Sequence, residues 1–128
     1  MVEDDYFSPF SFSEGLARAK NHQGGGFLDT SGKITMEPIW RTVEAFSEGF
    51  AAAEKRSNYQ GGCEHNNCWG YIDKMGRVVI EPQFSSVNPF RGGLAWVSRS
   101  IPRKNYSDAY KQGYVDRTGK FVWSTIVK

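Results

Sequence analysis

Hydrophobic and polar residues alternate along this chain in short runs that are separated by glycine-containing turns. Alternation over about four to eight residues is typical of β-strands that bury one face, and no window has the spacing of an amphipathic helix. In three of these runs the alternate positions hold only Ala or Val, which predicts a strand face packed closely against a neighbour. The three runs span residues 16–20, 50–55 and 94–99.

The same short phrases of sequence occur three times at fixed offsets. The opening phrase is FSEGLA at 12–17, FSEGFA at 46–51 and FRGGLA at 90–95. The middle phrase is GFLD at 26–29, GYID at 70–73 and GYVD at 113–116. This recurrence predicts a single domain, residues 1–128, that contains three tandem structural units. We define repeat one, repeat two and repeat three as approximately residues 10–45, 46–89 and 90–128.

A D-x-x-G sequence closes each middle phrase and predicts a tight hairpin turn. The Asp side chain can accept hydrogen bonds from turn amides, and the Gly can adopt the left-handed backbone conformation that a three-residue hairpin loop requires. A catalytic trio of aspartates is the weaker interpretation, because catalytic residues rarely recur once per repeat. The predicted turn residues are Asp29, Gly32, Asp73, Gly76, Asp116 and Gly119.

The residues on both sides of each turn are β-branched or aromatic, which favours strands. In repeat two we predict strands at 50–55, 70–72 and 77–81, with Pro82 ending the pairing of the last one. The unit is therefore a three-stranded antiparallel meander, and one meander cannot bury its own face. We predict an all-β fold in which three such meanders pack into one compact domain, either stacked or arranged around a shared core.

The repeated phrases resemble the WG repeat family, which is named for a Trp-Gly pair at the start of the second strand. Only repeat two has the full pair, at 69–70, whereas the other repeats have GG at 25–26 and QG at 112–113. The resemblance covers about residues 10–123. It implies tandem β-units, mostly found in bacterial proteins, whose role is usually supposed to be binding.

The charge balance argues against some classes of partner. Sixteen basic and 14 acidic residues give a formal net charge of +2, which favours neither nucleic acid nor an anionic membrane. No apolar run approaches the roughly 18 residues of a transmembrane helix. The acidic N-terminal sequence MVEDDYFSPF lacks the basic-then-apolar order of a signal peptide, so a cytoplasmic location is favoured.

Long insertions separate the first and second predicted strands of repeats two and three. The insertion at 57–67 precedes Cys68 and contains Cys63 and His65, so three side chains are available as weak candidates for metal ligands. Structural zinc usually has four ligands, and we therefore predict no metal and no other cofactor. Two free thiols are the expectation for a cytosolic chain, and a disulfide is the alternative in an oxidising compartment.

Aromatic and basic residues in the insertions and on one strand face are the candidate binding residues. The insertion at 99–111 interleaves basic residues with tyrosines, and the position of Trp96 varies among the repeats. Tyr, Trp and Arg are enriched at binding hot spots, although a solvated loop is the simpler interpretation of the insertion. The candidates are Trp40, Tyr59, Trp96, Arg99, Arg103, Lys104, Tyr106 and Tyr110. Trp69 and Trp123 occupy strand positions and are predicted to lie in the core.

No motif in the chain predicts catalysis. The two histidines both fall in predicted loops, and no Ser-His-Asp or Cys-His grouping has a recognisable form. We predict a non-catalytic binding module whose partner is another protein, such as a toxin or an effector. One alternative is an immunity-type protein that neutralises a bacterial toxin, and another is carbohydrate or cell-envelope binding through exposed aromatic residues. A metal-dependent enzyme at the cysteine-containing insertion is the least favoured class.

Overall fold

The computed structural model describes residues 12–21, 24–55, 67–102 and 109–127. These residues form β-strands without any helix, so none of them belongs to a helix that could span a membrane. The strands are β1 (Leu16–Asn21), β2 (Gly24–Asp29), β3 (Ile34–Trp40), β4 (Thr42–Val43), β5 (Phe50–Glu54), β6 (Trp69–Asp73), β7 (Val78–Phe84), β8 (Ala95–Ile101), β9 (Ala109–Val115) and β10 (Phe121–Val127).

The strands form three antiparallel sheets, one for each repeat. The strand order is β1-β2-β3 in the first sheet, β4-β5-β6-β7 in the second and β8-β9-β10 in the third, and β4 is a segment of repeat one that joins the sheet of repeat two. The prediction of an all-β fold built from tandem meanders is confirmed. The additional strand β4 comes from the linker that follows β3, and it pairs with β5 by placing Val43 opposite Ala53.

Proline does not end the third strand of a repeat, which corrects the prediction made for Pro82. β7 continues to Phe84, and its register with β6 shifts between the pair Tyr71–Ile80 and the pair Trp69–Phe84. β3 shows a corresponding shift against β2. Proline is tolerated at this place because it lies within the irregular segment, where regular ladder pairing is already interrupted.

The glycine of the Trp-Gly sequence is required by a close approach between neighbouring strands. A Cβ atom at Gly70 would lie 2.8 Å from the backbone nitrogen of Pro82 and closer still to the Ile80 carbonyl oxygen. In repeat three, a Cβ atom at Gly113 would lie 2.6 Å from the Cα atom of Ser124. Because side chains do not approach backbone atoms this closely, only glycine fits at these two positions.

The D-x-x-G turns are held by hydrogen bonds to their aspartates. In repeat one, Asp29 Oδ1 accepts hydrogen bonds from the amides of Ser31 and Lys33, at 2.8 and 3.0 Å. Gly32 donates its amide to the Asp29 carbonyl oxygen at 3.0 Å and has a φ of 85°. The hydrogen bond from the Ser31 hydroxyl, followed by those from the turn amides, lowers the pKa of Asp29. Equivalent amide hydrogen bonds are made to Asp73 and Asp116.

The hydrophobic core lies at the two junctions between repeats. The first cluster joins repeats one and two and consists of Leu16, Phe27, Met36, Val43, Phe46, Ala51, Ala53 and Ile72. The second cluster joins repeats two and three and consists of Ala52, Tyr71, Ile80, Phe84, Phe90, Ala95, Val97 and Val115. Each sheet therefore buries apolar residues against its neighbour, so that of the two predicted arrangements the structure shows stacked units, with the core divided into two clusters.

Candidate functional site

An aromatic residue on the second strand of a repeat forms the centre of each junction. Phe27 of repeat one packs against Phe46 of repeat two, with ring centroids 4.7 Å apart. Tyr71 of repeat two packs in a similar way against Phe90 of repeat three, at 4.8 Å. Phe27 and Tyr71 are both buried, because the following repeat covers them.

An apolar residue on the third strand contacts the turn of the following repeat. Met36 lies beside Gly76, where a Cβ atom would be 3.4 Å from the Met36 Cγ atom. Ile80 lies beside Gly119, where a Cβ atom would be 2.9 Å from Ile80 Cγ2. Met36 and Ile80 are buried as a result of these contacts.

A glutamate in the opening phrase binds the backbone of the next repeat, and we call this pairing the carboxylate clasp. The carboxylate of Glu14 accepts hydrogen bonds from the amides of Glu48 and Gly49, at 2.7 and 2.9 Å. The carboxylate of Glu48 accepts hydrogen bonds from the amides of Gly92 and Gly93, the latter at 2.8 Å. The clasp therefore joins repeat one to repeat two and repeat two to repeat three.

The first clasp combines favourable electrostatics with a strained backbone. Desolvation tends to raise the pKa of Glu14, but the hydrogen bonds from Gly49 and Glu48 and the nearby Lys74 outweigh it, so the pKa is lowered. The Lys74 ammonium lies 3.3 Å from the Glu14 carboxylate. Glu14 and Glu48 have φ values of 56° and 54°, a left-handed conformation that costs a non-glycine residue roughly 1 kcal/mol. The hydrogen bonds of the clasp offset this strain.

Repeat three lacks the residues that would form a further clasp. Gly92 has a φ of 62° and so keeps the backbone conformation of the glutamates, but it carries no carboxylate. Ser47 donates its hydroxyl to the Phe90 carbonyl oxygen at 2.7 Å, and Arg91 stands at the equivalent position in repeat three. Hydrogen bonds between repeat three and the Glu48 and Ser47 side chains therefore join it to repeat two. At the equivalent positions, 92 and 91, repeat three has no glutamate or serine that could bind another unit in the same way.

The face of the sheet that the other repeats bury beneath the next repeat is exposed in repeat three, where it carries aromatic residues. Tyr114 and Trp123 occupy the positions that are covered in repeats one and two, and 43% and 56% of their surfaces are exposed. The Trp96 ring centroid lies 5.0 Å from that of Tyr114 and 6.3 Å from that of Trp123. We call Trp96, Tyr114 and Trp123 the aromatic face.

The prediction that Trp123 lies in the core is wrong. In repeats one and two the residue at this position is buried beneath the next repeat, whereas no further repeat covers Trp123 in the part of the chain that the structure describes. Trp69, also predicted to lie in the core, is half-buried and packs against the second cluster. Tyr114 is a surface residue that the sequence analysis missed. Gly92 stands in the sequence where the other repeats have glutamate, but this difference points to Tyr114 only once the hydrogen bonds of Glu48 are known.

The predicted binding residues are distributed over different parts of the fold. Tyr110 lies on β9 four residues before Tyr114, hence on the same side of the sheet as the aromatic face, and it is exposed. Trp40 ends β3 in repeat one, where it is half-buried and packs against the first cluster. Of the predicted binding residues, Tyr59, Arg103, Lys104 and Tyr106 lie outside the described residues.

Arg99, another predicted binding residue, joins repeats two and three. Its guanidinium group lies 5.4 Å from the ring centroid of Phe84 and 5.3 Å from that of Phe121. Its Nε atom donates a hydrogen bond to the Gln83 carbonyl oxygen at 3.2 Å. Burial lowers the pKa of Arg99. These contacts occupy the side chain within the molecule.

Cys68 is buried and disulfide-bonded, which corrects the expectation of two free thiols. A sulfur atom in a disulfide cannot act as a thiolate ligand, so the weak metal candidates Cys63, His65 and Cys68 cannot all bind a metal in this state. Cys63 and His65 lie outside the described residues. Within the described ranges, no group of three acidic, His or Cys side chains is arranged to hold a metal ion.

The repeat architecture agrees with the comparison to known families. The family model described as WG containing repeat matches residues 26–59 and 69–99, which together make up just over half of the chain. The matched stretches begin within β2 and at the start of β6, which are the second strands of two meanders. No curated protein and no solved structure matches the chain. The chain belongs to the WG containing repeat family.

Proposed function

We propose that this chain is a non-catalytic module that binds another protein through the aromatic face of repeat three. The observation that carries the proposal is a contrast in burial between equivalent residues. Tyr71 and Ile80 of repeat two are 1% and 2% exposed, whereas Tyr114 and Trp123 of repeat three are 43% and 56% exposed. The same positions serve as a packing surface in repeat two and as a free surface in repeat three.

The composition of the aromatic face favours a protein partner. Trp and Tyr provide large apolar contact areas with few rotatable bonds, and both are enriched at binding hot spots. Trp96 packs edge-on against Tyr114 and stacks on Trp123, so the rings support one another before any partner arrives. Binding therefore requires little additional ordering of side chains, which favours affinity.

The junctions within the chain indicate what shape of partner the face would accept. At the second junction, Tyr71 packs against the ring of Phe90, and Ile80 lies against the turn at Gly119. A partner segment that offers an aromatic ring beside a tight glycine-containing turn would make equivalent contacts on the aromatic face. A bacterial toxin bound by an immunity-type chain is one partner of this class.

The proposal is tested by affinity capture from the native source, followed by titration with the purified partner. The baits are the wild-type chain, the Trp96→Ala/Trp123→Ala variant, and Ile126→Ala as a control. Ile126 is exposed on β10. The register of β10 with β9 is regular from Trp123 to Val127, so strand alternation places Ile126 on the opposite side of the sheet from Trp123. We expect one stoichiometric protein that binds the double variant about a hundredfold more weakly and Ile126→Ala with little change.

The alternatives give different results in the same assay. A partner that binds wild type and the Trp96→Ala/Trp123→Ala variant equally would contradict the aromatic face as the binding surface. If no protein is captured and oligosaccharides quench the fluorescence of the wild type but not of the double variant, the face binds carbohydrate and the protein-binding proposal is wrong.

A further inference from the structure

The outer strand of repeat three differs from the outer strands of the other repeats. β3, β7 and β10 each form one edge of their sheet. β3 contains Glu-Pro at 37–38 and β7 contains Glu-Pro at 81–82, whereas β10 has Ser-Thr at the equivalent positions, 124–125. Charged residues and prolines are common means of preventing an edge strand from pairing with another chain. β10 has neither at these positions.

The side chains of β10 leave its edge accessible. Every residue of the strand after Phe121 is exposed. Four of the exposed residues are apolar, namely Val122, Trp123, Ile126 and Val127. The strand carries no charged residue, and among the described strands it pairs with β9 alone. A long, uncharged and apolar edge of this kind is a template for pairing with another strand.

We propose that two molecules of this chain associate by antiparallel pairing of their β10 strands about a twofold axis. A strand that pairs with its own twofold-related copy is antiparallel to it by symmetry, so β10 can satisfy the backbone groups of its own edge. The two three-stranded sheets would then form one six-stranded sheet, which is a common size. The dimer is closed, because neither molecule retains a free β10 edge.

The side chains of β10 favour one register, in which the axis passes through Thr125. Thr125 would then face Thr125 of the second molecule, and Thr–Thr pairs are favourable across antiparallel strands. Trp123 would face Val127, which pairs an aromatic with a β-branched residue and is also favourable. Trp123 belongs to the aromatic face, so this register would make the two aromatic faces continuous across the dimer.

The neutrality of β10 favours a second molecule of this chain over an unrelated strand. An uncharged strand has no electrostatic means of selecting a foreign partner, whereas its own sequence supplies the matching pairs. The inference overlaps with the proposed function at Trp123, which would face Val127 of the second molecule and also belongs to the aromatic face, but backbone pairing of the β10 edges does not require a protein partner.

Sedimentation analysis of wild type and a Ser124→Glu/Thr125→Pro variant tests the dimer. The variant restores the Glu-Pro sequence of the other repeats. We expect the wild type to sediment as a dimer at micromolar concentrations and the variant to show a dissociation constant at least about a hundredfold higher. Thr125→Lys is a second variant, in which two lysines would face each other across the axis without removing a backbone donor. Circular dichroism checks that each variant is folded.

Disulfide trapping tests the register. A residue that faces itself across an antiparallel pair has a Cα separation of about 4.5–5.5 Å, which a disulfide can span. Thr125→Cys should therefore form a covalent dimer rapidly under mild oxidation. Ser124→Cys is the matched control, because Ser124 would face Ile126 of the second molecule and its own copies would lie farther apart.

Each result has a defined consequence for the inference. A wild-type chain that stays monomeric would overturn it, as would a dimer that persists in both folded edge variants. Preferential trapping of Ser124→Cys would overturn the register. Trp96→Ala removes a residue of the aromatic face on β8 and leaves β10 unchanged, so its binding to the captured partner reports on the proposed function independently of dimerisation.

Discussion

The middle phrases of repeats two and three have nearly the same sequence but differ in exposure. The middle phrase is GYID in repeat two and GYVD in repeat three, yet Tyr71 is 1% exposed and Tyr114 is 43% exposed. Pairing within the repeats is equivalent, since Tyr71 faces Ile80 and Tyr114 faces Trp123. The burial of a position in these repeats is therefore decided by the unit that follows it.

The opening phrases show the same difference in their backbone conformations. Glu48 keeps a left-handed conformation at the second junction, where its carboxylate binds the amides of Gly92 and Gly93. Gly92 has a similar φ at the free end without the cost that a side chain would add. A strained glutamate is thus present where its carboxylate has backbone donors to bind, and glycine is present where no atom of the described residues, apart from its chain neighbours, lies within 4 Å of an added Cβ atom.

The largest expected effect tests whether repeat two, which repeat three covers, accommodates an added Cβ atom less easily than repeat three does. Gly70→Ala forces a Cβ atom against β7, with the Pro82 nitrogen at 2.8 Å, and β7 is covered by repeat three. Gly113→Ala forces a Cβ atom against β10, with the Ser124 Cα atom at 2.6 Å, but β10 is exposed and can shift. We expect Gly70→Ala to lower the free energy of unfolding by about 3 kcal/mol and Gly113→Ala by about half as much.

Urea unfolding of both variants in the Thr125→Lys background, where β10 is not paired in a dimer, measures this difference, and Gly25→Ala in the same background is the matched control. A Cβ atom at Gly25 would lie 3.3 Å from the Val43 Cγ2 atom and 3.4 Å from the Val43 backbone nitrogen, a milder crowding than at Gly70 or Gly113. Gly25→Ala should therefore cost less than either of the other substitutions. A larger loss for Gly113→Ala than for Gly70→Ala would contradict the view that the end repeat adjusts more easily.

The next largest effect is expected from a comparison of Ile80 on β7 with Trp123 at the equivalent position on β10. Ile80→Ala removes a buried side chain at the second junction and should lower the free energy of unfolding by about 3 kcal/mol. Trp123→Ala removes an exposed side chain and should cost less than about 1 kcal/mol. Both are measured by urea unfolding in the Thr125→Lys background, so that dimerisation does not contribute. Equal losses would show that the aromatic face is covered in the free molecule.

Replacing glutamate by glycine in the opening phrase of repeat two and glycine by glutamate at the equivalent position of repeat three should both destabilise the fold. Glu48→Gly relieves the left-handed strain but removes two hydrogen bonds to a carboxylate, and we expect a net loss of about 1 kcal/mol. Gly92→Glu adds that strain without providing any donor for the new carboxylate, and we expect a loss of similar size. Thermal or urea unfolding measures both. A Glu48→Gly variant more stable than wild type would show that the clasp does not offset the strain.

The strands and turns of this fold were predictable because each depends on nearby residues. Alternating small residues predicted β5, and the D-x-x-G sequence predicted the turn at Asp73. The strand end at Pro82 was predicted wrongly, because the bulge that accommodates proline depends on pairing with β6. The clasp was missed because Glu14 binds amides 34 and 35 residues away.

The exposed surface was harder to predict than the fold. A tryptophan at a strand position is usually buried, but Trp123 lacks the covering unit that buries Ile80, and nothing within the phrase GYVD encodes that difference. The replacement of glutamate by Gly92 could have indicated it. That signal is interpretable only when the partner of Glu48 is known, which requires the structure.

The smallest expected effect concerns the pH dependence of the first clasp. Desolvation tends to raise the pKa of Glu14, but hydrogen bonds from Gly49 and Glu48 and the proximity of Lys74 lower it below the ordinary value of 4.5. A carboxyl group with a lower pKa in the folded state stabilises that state above its unfolded pKa, and the stabilisation is lost as the pH falls through the folded pKa. We expect Glu14→Gln to lower the free energy of unfolding by somewhat less than about 1 kcal/mol at neutral pH.

Unfolding of wild type and Glu14→Gln by urea at a series of pH values measures this difference. It should be constant near neutrality and shrink as the pH falls below about 4.5, where the wild-type carboxylate becomes protonated. Added salt separates the two kinds of partner, because it screens the exposed Lys74 pair more than the short hydrogen bonds to the backbone. If salt removes the whole difference, Lys74 rather than the amides of repeat two accounts for the effect. A difference that does not change with pH would mean that the charge of Glu14 has no part in joining the repeats.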